Sequence, residues 1–145
     1  LKRTKEWWDL WYLDLAKQIS TASKDPSTKV GAVIVDNKNR IVSVGYNGFP
    51  VGIEDTEERL NNREIKYKIV IHAERNSLLF AKDSVENCTI YTWPFMPCSV
   101  CAGMIIQSGI IRVVSFKSDN PRWEEEFKLS KELFLEANID LKFYE

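Results

Sequence analysis

Cys98 and Cys101 stand in the stretch WPFMPCSVCAGMIIQSG, in Pro-Cys-x-x-Cys spacing. One helical turn separates the two thiols whether they form a redox couple, a structural clamp or one edge of a metal site, so the spacing alone does not decide. The single histidine, His72, lies in IVIHAERNS, where a strand-like run meets a helix start, and Glu74 follows it closely. A lone histidine is more often a satisfied structural residue than a ligand, and here its neighbours argue the other way. One imidazole and two thiolates are donors of the kind zinc prefers, and three protein ligands with an open fourth position describe a catalytic zinc site. Both cysteines fall in the first turn of a helix, where free N–H groups and the positive dipole end favour thiolate over thiol. Glu74 then suits a proton carrier beside the open position, not on the metal. The first residue of a helix lies outside helical geometry, so His72 and Glu74 can face one pocket.

Cys88 is the third cysteine, and an odd count with one CxxC pair points to metal or redox chemistry in a reducing, cytoplasmic setting. Two other readings stay open on these residues. In one, Cys88 completes a structural Cys3His zinc module and Glu74 merely caps a helix. In the other, the CxxC is a thioredoxin-like couple, which leaves HAE unexplained. The chain has 145 residues, 20 Lys and Arg against 21 Asp and Glu, and a formal charge of −1 without a basic block. That size fits a single domain, residues 1–145, with its own core. That charge argues against a nucleic-acid polymer as partner. The opening LKRTKEWWDLWYLDLAKQI interrupts every apolar run with charge and reads as neither a signal peptide nor a membrane span.

The elements that must position these residues follow from periodicity. Trp8, Trp11, Tyr12, Leu15 and Ile19 recur at helical spacing, with Thr4 placed as N-cap. VGAVIV and RIVSVG read as a hairpin across DNKNR. From Tyr46 to Ile71 the chain is polar and acidic, a long connection expected to contain a short helix and to be functional or interfacial. AERNSLLFAK reads as helix, CTIYTW as strand, CSVCAGMIIQSG as a helix ending at Gly109, IIRVVSF as a buried strand, PRWEEEFKLSKELFLEAN as helix and IDLKFY as a last strand. This order predicts an α/β fold, a mixed sheet covered by helices on both faces. HAE and PCSVC each open a helix after extended chain, which puts them on the sheet edge where open α/β folds bind ligands.

HAE followed by PCSVC resembles the H-x-E and P-C-x-x-C signature of the zinc-dependent cytidine and deoxycytidylate deaminases. DPSTKVGAVIV, GYNGFPVG, HAERNSLL and PCSVCAGMIIQSGI follow in the order and approximate spacing of the deoxycytidylate (dCMP) branch, from about Asp25 to Phe116. The resemblance implies a three-layer α/β/α cytidine-deaminase-like fold with a sheet of about five strands. It implies one Zn2+ on His72, Cys98 and Cys101, Glu74 as proton shuttle, and hydrolysis of dCMP to dUMP and ammonia. By position, Asn47 would hold the sugar, the Ala73 amide the base carbonyl, and Phe95 and Met96 the wall and a carbonyl facing the exocyclic amine. Ser27 and Lys29 lie in the loop where the 5′-phosphate would dock. The resemblance further implies a homo-oligomer, a hexamer, activated by dCTP and inhibited by dTTP, with Mg2+ accompanying the effector and Gly48 and Phe49 contacting it.

The chain departs from dCMP deaminases that carry a second, structural zinc, because only Cys88 is spare. One zinc per chain is therefore expected, with Cys88 a buried thiol at a strand start. PCSVCAGMI also resembles tRNA-adenosine deaminases, whereas GYNG favours a nucleotide substrate.

Overall fold

Thr4 caps the first helix as its position predicts: its Oγ1 accepts from the Trp7 N–H at 3.0 Å, and α1 runs Lys5–Ser20. The computed structural model describes residues 1–145. After α1 come β1 (Gly31–Val35), β2 (Ile41–Tyr46), α2 (Glu57–Asn61), α3 (Arg63–Ile69), α4 (Ala73–Leu79), β3 (Thr89–Trp93), α5 (Ser99–Ser108), β4 (Arg112–Phe116), a 3₁₀ turn at Pro121–Trp123, α6 (Glu124–Glu136) and β5 (Asp140–Tyr144). The five strands lie in the order β2-β1-β3-β4-β5. β1 is antiparallel to β2 and β3, while β3, β4 and β5 run parallel. The mixed sheet of the α/β expectation is thus present.

Alternation along the strands divides the core in two. Val33, Val35, Tyr91 and Val114 pack against Tyr12, Leu13 and Ala16 of α1. Ala32, Ile34, Ile90 and Val113 face the opposite way, toward Ala73, Ala102, Ile105, Phe127 and Phe134 from α4, α5 and α6. β1 is buried on both faces, which is why it reads as an unbroken apolar run. Helices touch the sheet directly where side chains vanish. A Cβ on Gly31 would lie 1.9 Å from the Ala16 carbonyl of α1, and one on Gly45 2.5 Å from the Ala73 carbonyl of α4. Gly45 therefore sets how closely the His72–Glu74 turn approaches β2.

The Tyr46–Ile71 connection holds two short helices, where the sequence suggested one. Thr56 Oγ1 accepts from Arg59 N–H and Asn62 Oδ1 from Ile65 N–H, so each helix has its own cap. On the α1 face, Asp9 accepts from Arg112 Nη1 and Nη2 at 2.8 and 2.7 Å, from the Tyr91 hydroxyl at 2.8 Å and from the Tyr144 hydroxyl at 2.7 Å. That one carboxylate fastens α1 to β3, β4 and β5. No helix is long and apolar enough to cross a membrane.

Candidate active site

Gly31 pairs with both Tyr46 and Trp93, so β2 and β3 end at the edge where β1 begins, and parallel β4 ends there too. Two helices start at this edge. His72 is the N-cap of α4 and Cys98 the N-cap of α5, both with extended backbone and neither making a side-chain cap bond. Their side chains are turned toward each other instead. His72 Nδ1 lies 3.5 Å from Cys98 Sγ and 3.3 Å from Cys101 Sγ. These donor atoms all fall within 4.8 Å of one another. A tetrahedral zinc separates a nitrogen and a sulfur ligand by about 3.6 Å, so the three side chains fit that ion.

The charges suit a cation as well. The Cys98 thiol is held down at about 4, first by the Cys101 thiol donating to it and also by His72. Cys101 is pushed up by the same bond and by burial. Both sulfurs bind a metal as thiolates, so a proton shared by the pair must leave as the metal enters. The Cys98 sulfur draws His72 up, against the opposing effect of burial. Glu74 is buried, and that burial is the main reason its carboxyl sits above the ordinary carboxylate value. Cys88 lies apart from this group, buried at the start of β3 with Ala102 and Ile105 in the same core cluster.

One cleft holds His72, Ala73, Glu74 and Cys98 together with Asn47, Phe95, Met96 and Ser27. Residues that sequence reasoning did not single out also line it, among them Asp25, Arg63, Lys66, Arg122, Trp123 and Phe127. Phe95 packs against Trp123 and Phe127 at centroid distances of 5.6 and 5.4 Å, forming an aromatic wall. Asn47 faces the cleft while serving the loop beside it. Its Nδ2 donates to the Thr28 carbonyl and its Oδ1 accepts from the Val30 N–H, both at 2.9 Å.

Lys29 is not in the cleft. Its side chain is exposed and its Nζ donates to the Ser23 carbonyl, because it turns back along its own loop. The buried ammonium in the cleft belongs to Lys66, 3.2 Å from Asp25 Oδ1 and 3.2 Å from Ser27 Oγ. Arg63, Lys66, Tyr67 and Val70 share i, i+3, i+4, i+7 spacing, the one signal in the polar connection that could have marked a helix face turned inward. Gly48 and Phe49 line a separate, neighbouring cleft. Gly48 exchanges backbone bonds with Ile71, the residue before His72.

A family profile described as the cytidine and deoxycytidylate deaminase zinc-binding region matches residues 6–117. An uncharacterized deaminase of Aliivibrio fischeri is 42% identical over 137 residues, covering 92% of this chain and 91% of that protein. The mouse deoxycytidylate deaminase is 38% identical over 143 residues, covering 93% of this chain and 78% of that one. The crystal structure of the dCMP deaminase of cyanophage S-TIM5 in complex with dCMP and dUMP shares the fold, with a TM-score of 0.77 at 23% identity, over 99% of this chain and 100% of that one.

Proposed function

This chain belongs to the cytidine and deoxycytidylate deaminase family, and from that premise we propose that it hydrolyses dCMP to dUMP and ammonia. The observation that carries the choice of a nucleotide is the Lys66 ammonium, buried in the cleft that also holds Glu74. Arg63 and Arg122 line the same cleft, so a 5′-phosphate would meet three cations there. A nucleoside would leave Lys66 with only Asp25 and Ser27 as partners.

His72, Cys98 and Cys101 would hold the zinc. When bound, zinc polarises water and lowers its pKa from about 15.7 to roughly 7. Glu74 takes one proton from the attacking water and delivers it to N3 as the oxygen joins C4. The same carboxylate then carries the second proton to the departing amine, so C4 becomes a carbonyl and ammonia leaves. A carboxyl raised by burial suits both directions of transfer, which is worth on the order of 10²- to 10⁴-fold. The Ala73 N–H, in the first turn of α4, is free to hold the base carbonyl. Phe95, Trp123 and Phe127 supply an apolar wall for the ring, and the Met96 carbonyl would accept from the exocyclic amine.

Regulation by dCTP as activator and dTTP as inhibitor belongs to the same reading, with Mg2+ accompanying the triphosphate. The neighbouring cleft of Gly48 and Phe49 shares Asp25, Asn47 and Val70 with the substrate cleft, so a nucleotide in one would shift walls of the other. Exposed Ile41, Val44, Tyr46, Leu79 and Phe80 on β2 and at the end of α4 offer an apolar strip to further copies, in line with a hexamer. A cytoplasmic place follows from the role in nucleotide metabolism.

Ammonia release from dCMP, deoxycytidine, CMP and a tRNA anticodon stem-loop, compared at equal concentration, tests the substrate. dCMP should lead. Preference for deoxycytidine or for the tRNA adenosine would overturn the proposal.

A further inference from the structure

Cys98 cannot cap the helix it begins. Its sulfur is turned to His72, and α5 makes no cap bond from its own N-cap side chain. The first turn of α5 is nevertheless capped from another element. Glu126 Oε1 of α6 accepts from the Ser99 N–H at 2.8 Å and from the Ser99 hydroxyl at 2.7 Å. The two Ser99 donors hold the Glu126 carboxyl below the ordinary carboxylate value. Glu126 occupies the third position of α6, where a Glu commonly folds back onto the start of its own helix. Here it reaches across, and the N-cap of α6, Trp123, makes no side-chain cap bond either.

The placement of this carboxylate joins two parts of the cleft. Trp123, the N-cap of α6, and Phe127, in its first turn, stack at 6.2 Å on either side of Glu126 in sequence, and both line the substrate cleft with Phe95. On the other side of the bond, Ser99 lies between Cys98 and Cys101. A rotation of α6 that moved the aromatic wall would pull on Ser99, and through it on the turn carrying two metal ligands.

We propose that Glu126 is a positioning residue that couples the seating of the pyrimidine ring on the α6 wall to the geometry of the Cys98–Cys101 turn. It touches neither ring nor metal. The zinc half of the proposal stands on the His72, Cys98 and Cys101 site alone, and only the ligand half rests on the proposed substrate.

The test follows zinc transfer from the holoenzyme to a chromophoric chelator, with and without dUMP, in the wild type, Glu126→Ala, Glu126→Gln and Ser99→Ala. Partners that orient a metal site typically change metal affinity by 10- to 100-fold. Glu126→Ala should therefore lose zinc about 10-fold faster or more. Glu126→Gln keeps an acceptor oxygen and should stay within about 3-fold of wild type. dUMP should slow zinc loss in the wild type and lose that effect in Glu126→Ala. Wild-type zinc retention in a folded Glu126→Ala protein overturns the proposal. Should Glu126→Ala fail to fold, Ser99→Ala decides, since it deletes the hydroxyl half of the contact: faster zinc loss together with a weakened dUMP effect supports the coupling, and wild-type zinc loss with a wild-type dUMP effect overturns it. Zinc loss that responds to Glu126 without any effect of dUMP in the wild type would retain the anchor and overturn the coupling, leaving the substrate question to the ammonia assay.

Discussion

Lys66→Met should separate nucleotide from nucleoside turnover. The substitution keeps the length and apolar stem of a side chain that is only 6% exposed, and removes the ammonium alone. A hydrogen bond to a charged group contributes about 1.5–3 kcal/mol, and about 1.36 kcal/mol is tenfold, so kcat/KM for dCMP should fall roughly 10- to 150-fold. Asp25 adds to the loss in the same direction. It keeps the Ser27 and Thr28 amides, at 2.8 and 3.2 Å, so the loop holds its shape, but its uncompensated carboxylate then faces the phosphate. Residual deoxycytidine turnover should change less than about 3-fold, because that substrate has no charge to lose. Lys29→Ala is the internal control, with small and equal effects on both substrates, since its amine serves the Ser23 carbonyl. Initial rates of ammonia release on the two substrates give the ratio, and thermal melts establish that the variant is folded. Equal losses on dCMP and deoxycytidine from folded Lys66→Met would refute the phosphate argument.

Glu74→Gln should retain zinc and fold while turnover drops by at least about 100-fold, as metal analysis and single-turnover rates can establish. Cys98→Ser should lose most zinc, whereas Cys88→Ala should keep all of it at a packing loss of about 1 kcal/mol; equal zinc loss from both would favour a structural Cys3His site. Asp9→Asn leaves Arg112 without its buried partner, a loss of about 3–5 kcal/mol, or roughly 10–16 °C in Tm for a chain of this length. Burial raises the Asp9 carboxyl, but the donors from Arg112, Tyr144 and Tyr91 outweigh it and leave the folded value depressed. The stabilisation is therefore present above the unfolded value of about 3.9 and disappears as pH falls through the folded one. Melts between neutral and acid pH should show this decline in the wild type and not in Asp9→Asn.

The metal group was legible in the sequence because its parts are local. Cys98 and Cys101 meet through one turn of one helix, and His72 stands where a strand-like run gives way to helical periodicity. Each of those signals needs only a short window. The same holds for Thr4 as a cap, for Gly109 as the left-handed end of α5, and for the order of strands and helices, since β1 and β4 are rich in β-branched residues and α1 shows its stripe. The second helix in the polar connection escaped because its inward face is made of Arg63, Lys66 and Tyr67, which composition assigns to solvent.

Lys66, Glu126 and Asp9 share a different difficulty. Each is a charged residue whose role is set by a partner distant in sequence: Asp25 for Lys66, Ser99 for Glu126, Arg112 for Asp9. Helical periodicity identifies the face each occupies, yet it cannot name what that face meets. In α6 the three consecutive glutamates 124–126 look alike, and all favour a helix start for the same dipole reason. Only the packing of α6 on α5 distinguishes Glu126, because that packing puts its carboxylate over a helix start whose own cap residue has turned to His72. The uncapped start at Cys98 is thus what gives Glu126 its place: a residue whose sulfur is turned to His72 cannot also cap its helix, and a donor pair left open at such a turn needs an acceptor from outside it.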